Sequence, residues 1–395
     1  MRKNSINGST VYTYNPEYNR NSYKKNKKAK EKGSSMKKKI VSILLVAAMA
    51  VSLVACGNSS KSDSSDSSSK KSSSESTEKK KVTWAQGASG NVLVSIAKDQ
   101  GYFDEVGVEV EEIPLDDGQI EAVRTGQVDI ASNSGTWEPV QSIASGDDLA
   151  IIGGFMLTGC MPVVAREDQE WNSPEDFLGS KMADSKSRYA LFHELVDEGH
   201  DLDKEITFTE YENDSEEIQA VLKGEIDYAT IGTGRMYEVE HTDGLKIVTY
   251  CSDVTPNYSC CRMVARDSWV KENKETVKLI NEALIRAMCY FESHREDCVD
   301  LMVDQLNANK EYVEAYMLNE HYRINPDTVK NIVMDNYNYM MKVGGIENPD
   351  KSVNMEDRIY NKLYKEALDE AVEKWGDEDK DFYDNAVKFY QENNE

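Results

Sequence analysis

The chain has 395 residues, 71 acidic against 46 basic, for a formal net charge of −25. An excess of that size repels nucleic acid phosphates and anionic lipid surfaces, so DNA and RNA are excluded as partners. An apolar fraction of 39% over such a length fills a core without disulfide staples, and no C-x-x-C spacing points to zinc.

Residues 1–35 are basic and polar and read as an upstream extension or a misassigned start codon, with Met36 as the true start. Residues 36–55 have three lysines, then an apolar run from Ile40 to Ala55, which is a secretory signal too short to span a bilayer comfortably. The stretch LVACG at 53–57 resembles the bacterial lipobox, in which Cys56 carries lipid. Each buried methylene of such a chain contributes about 0.8 kcal/mol of membrane anchorage. From Cys56 to Lys81 the chain is a Ser/Lys-rich tether with no aliphatic or aromatic residue after Cys56, expected to be disordered. The first 55 residues hold 12 Lys or Arg and only 2 acids, so the part beyond the tether is more acidic still.

Alternation of strands and helices begins at Val82. Strands are expected at 82–86, 108–114, 128–132 and 149–155, separated by helices over 92–101, 118–126 and from Trp137. The pattern restarts after Arg166, with strands at 181–185, 206–211, IDYAT and 245–250. Ser187 is placed to cap one intervening helix and Ser215 to start the next. After Arg266 long amphipathic helices dominate. Strands spaced by helices of about ten residues imply βαβ units and a largely parallel sheet.

Two phrases recur. AVRTGQVDIA at 122–131 returns as AVLKGEIDYA at 220–229, and CMPVVARED at 160–168 returns as CCRMVARDS at 260–268. Two long copies mean two similar lobes rather than a solenoid. The shared Gly126 and Gly224 suit helix ends with positive φ, and Asp129 and Asp227 suit backbone bonding at strand starts, both structural roles. Arg166 and Arg266 read as structural partners near the lobe crossings. Of the cysteines beyond Cys56, most lie in apolar patterns and are expected to be buried free thiols.

Three further phrases carry a resemblance: KDQGYFDEVGVEVEEI, the paired G-x-hydrophobic-D-hydrophobic-A, and NSPEDFLGSKMADS. Over about residues 82–300 the chain resembles the substrate-binding proteins of ABC transporters for nitrate, taurine and aliphatic sulfonates, the NMT1-like group. The resemblance implies an α/β, two-lobed, type II periplasmic-binding-protein-like fold with a hinge. Lobe 1 would take residues 82–160, lobe 2 residues 161–255, and residues 256–395 would return to lobe 1 and end in helices. It also implies a monomer anchored by lipid on the extracytoplasmic face of a Gram-positive-type cell membrane. This monomer would deliver a small anionic or zwitterionic solute to a permease and its ATPase, without cofactor, metal or catalysis.

Ligands of open α/β sheets sit beyond the carboxyl ends of strands. The loops expected there supply Gln86, Ser89, Ser134, Thr136, Trp137, Thr158, Ser185, Ser187, Arg188, Thr233 and Arg235 as candidate ligand contacts. Hydroxyl groups and glycine at helix starts suit an anion or a carbonyl, and guanidinium suits sulfonate or carboxylate. Trp84 and Trp137 could cover an apolar part or a ring, with Tyr189 and Tyr258 weaker candidates. An alternative is a sensor, or a binder of a thiamine-precursor pyrimidine or other aromatic solute. Pyrimidine-precursor synthases of the same superfamily carry a cysteine cluster where this chain has SCCRM, but only Cys260 and Cys261 stand here and no histidine occurs between 82 and 192.

Overall fold

The computed structural model describes residues 79–115 and 117–395. The signal segment, Cys56 and nearly all of the tether lie outside the described residues. Twelve strands are described: β1 (Lys80–Gln86), β2 (Val108–Pro114), β3 (Ile130–Ala131), β4 (Ala150–Gly154), β5 (Met156–Gly159), β6 (Pro162–Arg166), β7 (Lys181–Ala183), β8 (Thr207–Phe208), β9 (Tyr228–Thr230), β10 (Leu245–Tyr250), β11 (Arg262–Ala265) and β12 (Tyr322–Ile324). Among the described residues no helix is long and apolar enough to cross a membrane.

Two five-stranded sheets result, in the order β2-β1-β3-β11-β4 and β8-β7-β9-β6-β10. They are built alike. In each, the first strand pairs in parallel with the second and third, and a single reversed strand lies between the third and fourth. Four of five strands therefore run the same way, and that direction forces helical crossovers between them. β5 leaves the first sheet and forms a hairpin-like pair with β12 from the C-terminal region.

The recurring phrases turn out to be two halves of one device. Gly126 (φ 76°) and Gly224 (φ 72°) end the helices Gln119–Thr125 and Asp214–Lys223 in the left-handed region. An added Cβ there would be strained by that φ alone. It would also strike the guanidinium of Arg266 in the first sheet and of Arg166 in the second. Each V-A-R arginine thus lies on the glycine of the other phrase, and Arg266 reaches Val123 O at 3.4 Å. Asp129 accepts from Thr83 N and Oγ1 at 2.9 and 2.8 Å, and Asp227 from Lys181 N at 2.9 Å. Both aspartates tie the third strand of a sheet to its first.

Some local expectations need correction. Arg188, with no side-chain capping bond, precedes the helix Tyr189–Glu198, and Ser187 does not cap it. Asn213 rather than Ser215 caps the next helix, its side chain accepting from Glu216 N at 3.1 Å. The expected strands at 128–132 and 206–211 shrink to two residues each, because only those residues find a paired neighbour. The six cysteines beyond Cys56 are buried and free.

Behind the first sheet runs the helix Lys274–Leu306, followed by Lys310–Met317, Lys330–Lys342, Asn361–Trp375 and Lys380–Asn394. The last helix is pinned at its end. Asn394 donates to the buried Asp327 carboxylate at 2.8 Å, and its Oδ1 accepts from Thr328 Oγ1 and Lys330 N at 2.9 and 3.0 Å. Arg262, wholly buried in β11, donates to Asp327 O and Met156 O at 2.5 and 2.8 Å. Burial pulls its guanidinium down to about 10.

Candidate functional site

The carboxyl ends of β1 and β3 in one sheet and of β7 and β9 in the other feed four loops: 87–91, 132–136, 184–188 and 231–235. Two crossing segments link them. Cys260 N and Cys261 N donate to Leu157 O and Met156 O at 3.1 and 3.0 Å, which lays the start of β11 against β5. Thr136 N donates to Cys260 O at 2.8 Å on the first-sheet side. On the second-sheet side Thr233 Oγ1 donates to Gly159 O. Gly159 N in turn donates to the Tyr258 hydroxyl at 3.0 Å. Loops from both sheets thus meet over one floor made of residues 156–160 and 258–261.

The candidate residues fall into three groups. Thr158 and Thr136 are buried, with hydroxyls engaged by the protein: Thr158 with His321 O at 2.6 Å, Thr136 with Ser259 Oγ at 3.0 Å. Thr233 is engaged in the same way by the floor. Gln86, Ser89 and Ser134 lie around the first-sheet loops, where Ser89 accepts from Asn133 Nδ2 at 3.2 Å. Ser134 lies beside Glu138, whose carboxyl burial raises and this hydroxyl lowers, with a net rise. Ser185 and Ser187 form a turn, Ser187 N bonding Ser185 Oγ at 3.2 Å, and Ser187 lies against Gly345 of the C-terminal region.

The aromatic candidates separate cleanly. Trp84 is only 1% exposed and donates to Ser132 Oγ at 3.1 Å, so it is core and covers no ligand. Trp137 is 44% exposed at the start of its helix, packed over Gly135. Tyr258 is buried in the floor, and Tyr189 stacks on His193.

Both arginines already face carboxylates. Arg188 Nε meets both oxygens of Asp184 at 2.5 and 2.7 Å, and the Asp184 side chain is wholly buried. Arg235 is held more loosely, 3.8 Å from Asp214 and 3.2 Å from Glu238, with 43% of its side chain exposed. Asp214 also accepts from Gly232 N at 3.0 Å. The second-sheet loops and the adjoining helix Asp214–Lys223 therefore carry an acidic set absent from the sequence expectation: Asp184, Asp214 and Glu217. Burial first, then the Asp214 and Asp184 charges, push Glu217 up to about 8 against the pull of Arg188. On the first sheet the corresponding unexpected residue is Gln119, 5% exposed beneath Gly87. One signal could have found both. The repeat extends backwards through Ile120 and Ile218 to Gln119 and Glu217 at the same spacing.

The pattern of the NMT1/THI5-like family matches residues 92–297. No curated protein sequence matches the chain. Among solved structures, the periplasmic aliphatic sulphonate binding protein SsuA from Escherichia coli is similar at 17% identity and a TM-score of 0.58, covering 72% of this chain and 92% of that one. The periplasmic nitrate-binding protein NrtA from Synechocystis PCC 6803 gives 12% and 0.59 over 74% and 89%. The desulfurization enzyme DSZB gives 13% and 0.53 over 74% and 99%, so the fold serves both binding and catalysis. The two like-built sheets and their crossing segments are the two-lobed, type II periplasmic-binding-protein-like fold, and, with the family pattern spanning more than half of its length, the chain belongs to the NMT1/THI5-like family.

Proposed function

We propose that this chain is the extracytoplasmic solute-binding component of an ABC importer. It captures a small organic solute between its lobes and presents it to a membrane permease. Lobe 1 takes residues 82–160, lobe 2 residues 161–255, and residues 256–395 return to lobe 1. The observation that carries the reading is the meeting of loops from two like-built sheets over one floor. Two crossing segments of that kind make a hinge, and a ligand touching both sets of loops favours the closed form. Capture without turnover is the reading.

Of the anionic and zwitterionic solutes, the zwitterion fits better. Arg188 is neutralised by Asp184 and rigidly held, so it offers little to an incoming anion. Arg235 is half-exposed in loose pairs, and an exposed pair of that kind contributes little, so its guanidinium can turn to a solute's acidic end. Binding to the purified protein, followed by thermal shift and calorimetry over amino acids, aminosulfonates and their analogues, tests this. Stabilisation by small acids bearing an amine is expected, with Arg235→Ala weakening them about tenfold or more. An unchanged affinity in that variant removes Arg235 from the site.

The exposed indole of Trp137 favours a second reading, an aromatic solute stacked on its face. Quenching of tryptophan emission by ring-bearing solutes, lost in Trp137→Leu, distinguishes the two.

A further inference from the structure

Four buried side-chain oxygens without a hydrogen-bond partner lie around the carboxyl ends of the parallel strands: Gln119 Oε1 and Asn133 Oδ1 by the first sheet, Glu217 Oε2 and Thr230 Oγ1 by the second. A buried polar atom left unpaired costs about 1–3 kcal/mol, so its persistence calls for a reason. Two of the four are the same position in the two lobes. Gln119 and Glu217 each stand three residues before the repeated Ala-Val and seven before the glycine that ends the helix. Each begins or nearly begins its helix beside the loop that follows the first strand of its own sheet.

Their surroundings match as well. A Cβ on Gly87 would come within 2.6 Å of Gln119 Nε2 and 2.8 Å of Asn133 Cβ, so the backbone of the β1 loop is stripped bare where Gln119 reaches it. Glu217 faces the β7 loop, where Asp184 and Arg188 are its charged neighbours, along with Asp214 of its own helix. Charge is unevenly shared there. Arg188 is committed to Asp184, and Arg235 lies loosely between Asp214 and Glu238, so neither guanidinium forms an ion pair with Glu217.

We infer that Gln119 and Glu217 are the paired specificity residues of the cleft, one on each jaw, and that they take a solute group rich in N–H donors, an ammonium or amidinium, with Glu217 as its counter-charge. This rests on the solute-capture reading above and names the chemistry it selects. An amide carbonyl and a carboxylate oxygen both accept hydrogen bonds, and a cationic nitrogen donor is the group that satisfies two acceptors and one uncancelled charge together. While the jaws are empty, Glu217 avoids a bare buried charge by keeping its proton; when the cation arrives, that proton passes to solvent and the carboxylate pairs with the ligand.

Matched probes test the inference on the purified protein. Taurine is compared with isethionate, β-alanine with 3-hydroxypropionate, and ethanolamine with ethylene glycol, within a broad panel of such pairs read by thermal shift and calorimetry. The amine member of a pair should bind and its hydroxyl partner should bind at least tenfold more weakly. Glu217→Gln should erase that preference, and Gln119→Ala should weaken the amines several-fold. At pH 6, where the parent's Glu217 keeps its proton, both variants should melt close to the parent. Hydroxyl partners binding as well as amines, or a Glu217→Gln variant that still prefers amines, overturns the inference and leaves solute capture standing. No response to any member of the panel overturns both.

Discussion

Glu217 makes the empty protein's stability depend on pH in an unusual direction. Its folded value, about 8, lies above the ordinary glutamate value of 4.5 because burial disfavours the charged form. A carboxyl raised in this way holds its proton better in the folded state than in the unfolded one. Stability is therefore greatest at low pH within this window and is lost as pH rises towards 8. The groups that set the effect are Asp214 on the same helix and Asp184 and Arg188 on the β7 loop, with Arg235 beyond Asp214. Urea midpoints should fall between about pH 6 and 8, and Glu217→Gln should flatten that segment. A midpoint that rises over the same range would mean that the carboxyl is ionised when empty. Arg188 behaves oppositely. Replacing it by alanine leaves the wholly buried Asp184 carboxylate without its cation, a change expected to cost about 3 kcal/mol in denaturant unfolding. The sequence offered both arginines as ligand contacts because loop position and guanidinium chemistry are visible locally. Their carboxylate partners were not, since nothing marks Asp184 and Asp214 among 71 acidic residues until the loops are folded.

Helices and the principal strands were largely legible, because each announces itself by local periodicity and a terminal glycine. What the sequence hid were the elements defined by distant partners. β5 carries no signal beyond a short apolar run, and β6 and β11 only that and the V-A-R repeat; their place is fixed by pairing with β12, β9 and β3. The V-A-R phrase was visible as a repeat, but its contact with the other repeat's glycine was not, since the two lie on separate elements. The pinning of the last helix was likewise beyond local reading. Asn394→Ala removes three hydrogen bonds at once, to the Asp327 and Thr328 side chains and the Lys330 backbone N–H. Unfolding of that variant should be easier by about 2 kcal/mol, the cost of leaving buried polar groups unmet. Little change would place the anchorage of this helix in its apolar face, with Tyr383 and Tyr390, instead.

Over the whole molecule the strong negative charge and the expected lipid work at different ends. The globular part is repelled by an anionic bilayer, so attachment would rest on the chain at Cys56 and on the tether between. Cys56→Ala should shift the protein from the membrane fraction to the medium, as followed by immunoblot; retention at the membrane would exclude the lipid as the anchor.

The reversed strand differs in origin between the two sheets. In the second sheet it is β6, and all five strands come from one unbroken run, Pro162 to Tyr250. In the first sheet it is β11, which reaches its slot between β3 and β4 only after the whole second sheet has been spelled out. An emerging chain can thus finish its later lobe while the earlier one still holds two unpaired strand edges. Until Ala265 arrives those edges are open to pairing with another chain. The interval between residues 154 and 262 is a window of vulnerability during synthesis, and slowing translation inside it should raise the yield of aggregates far more than slowing it after Ala265.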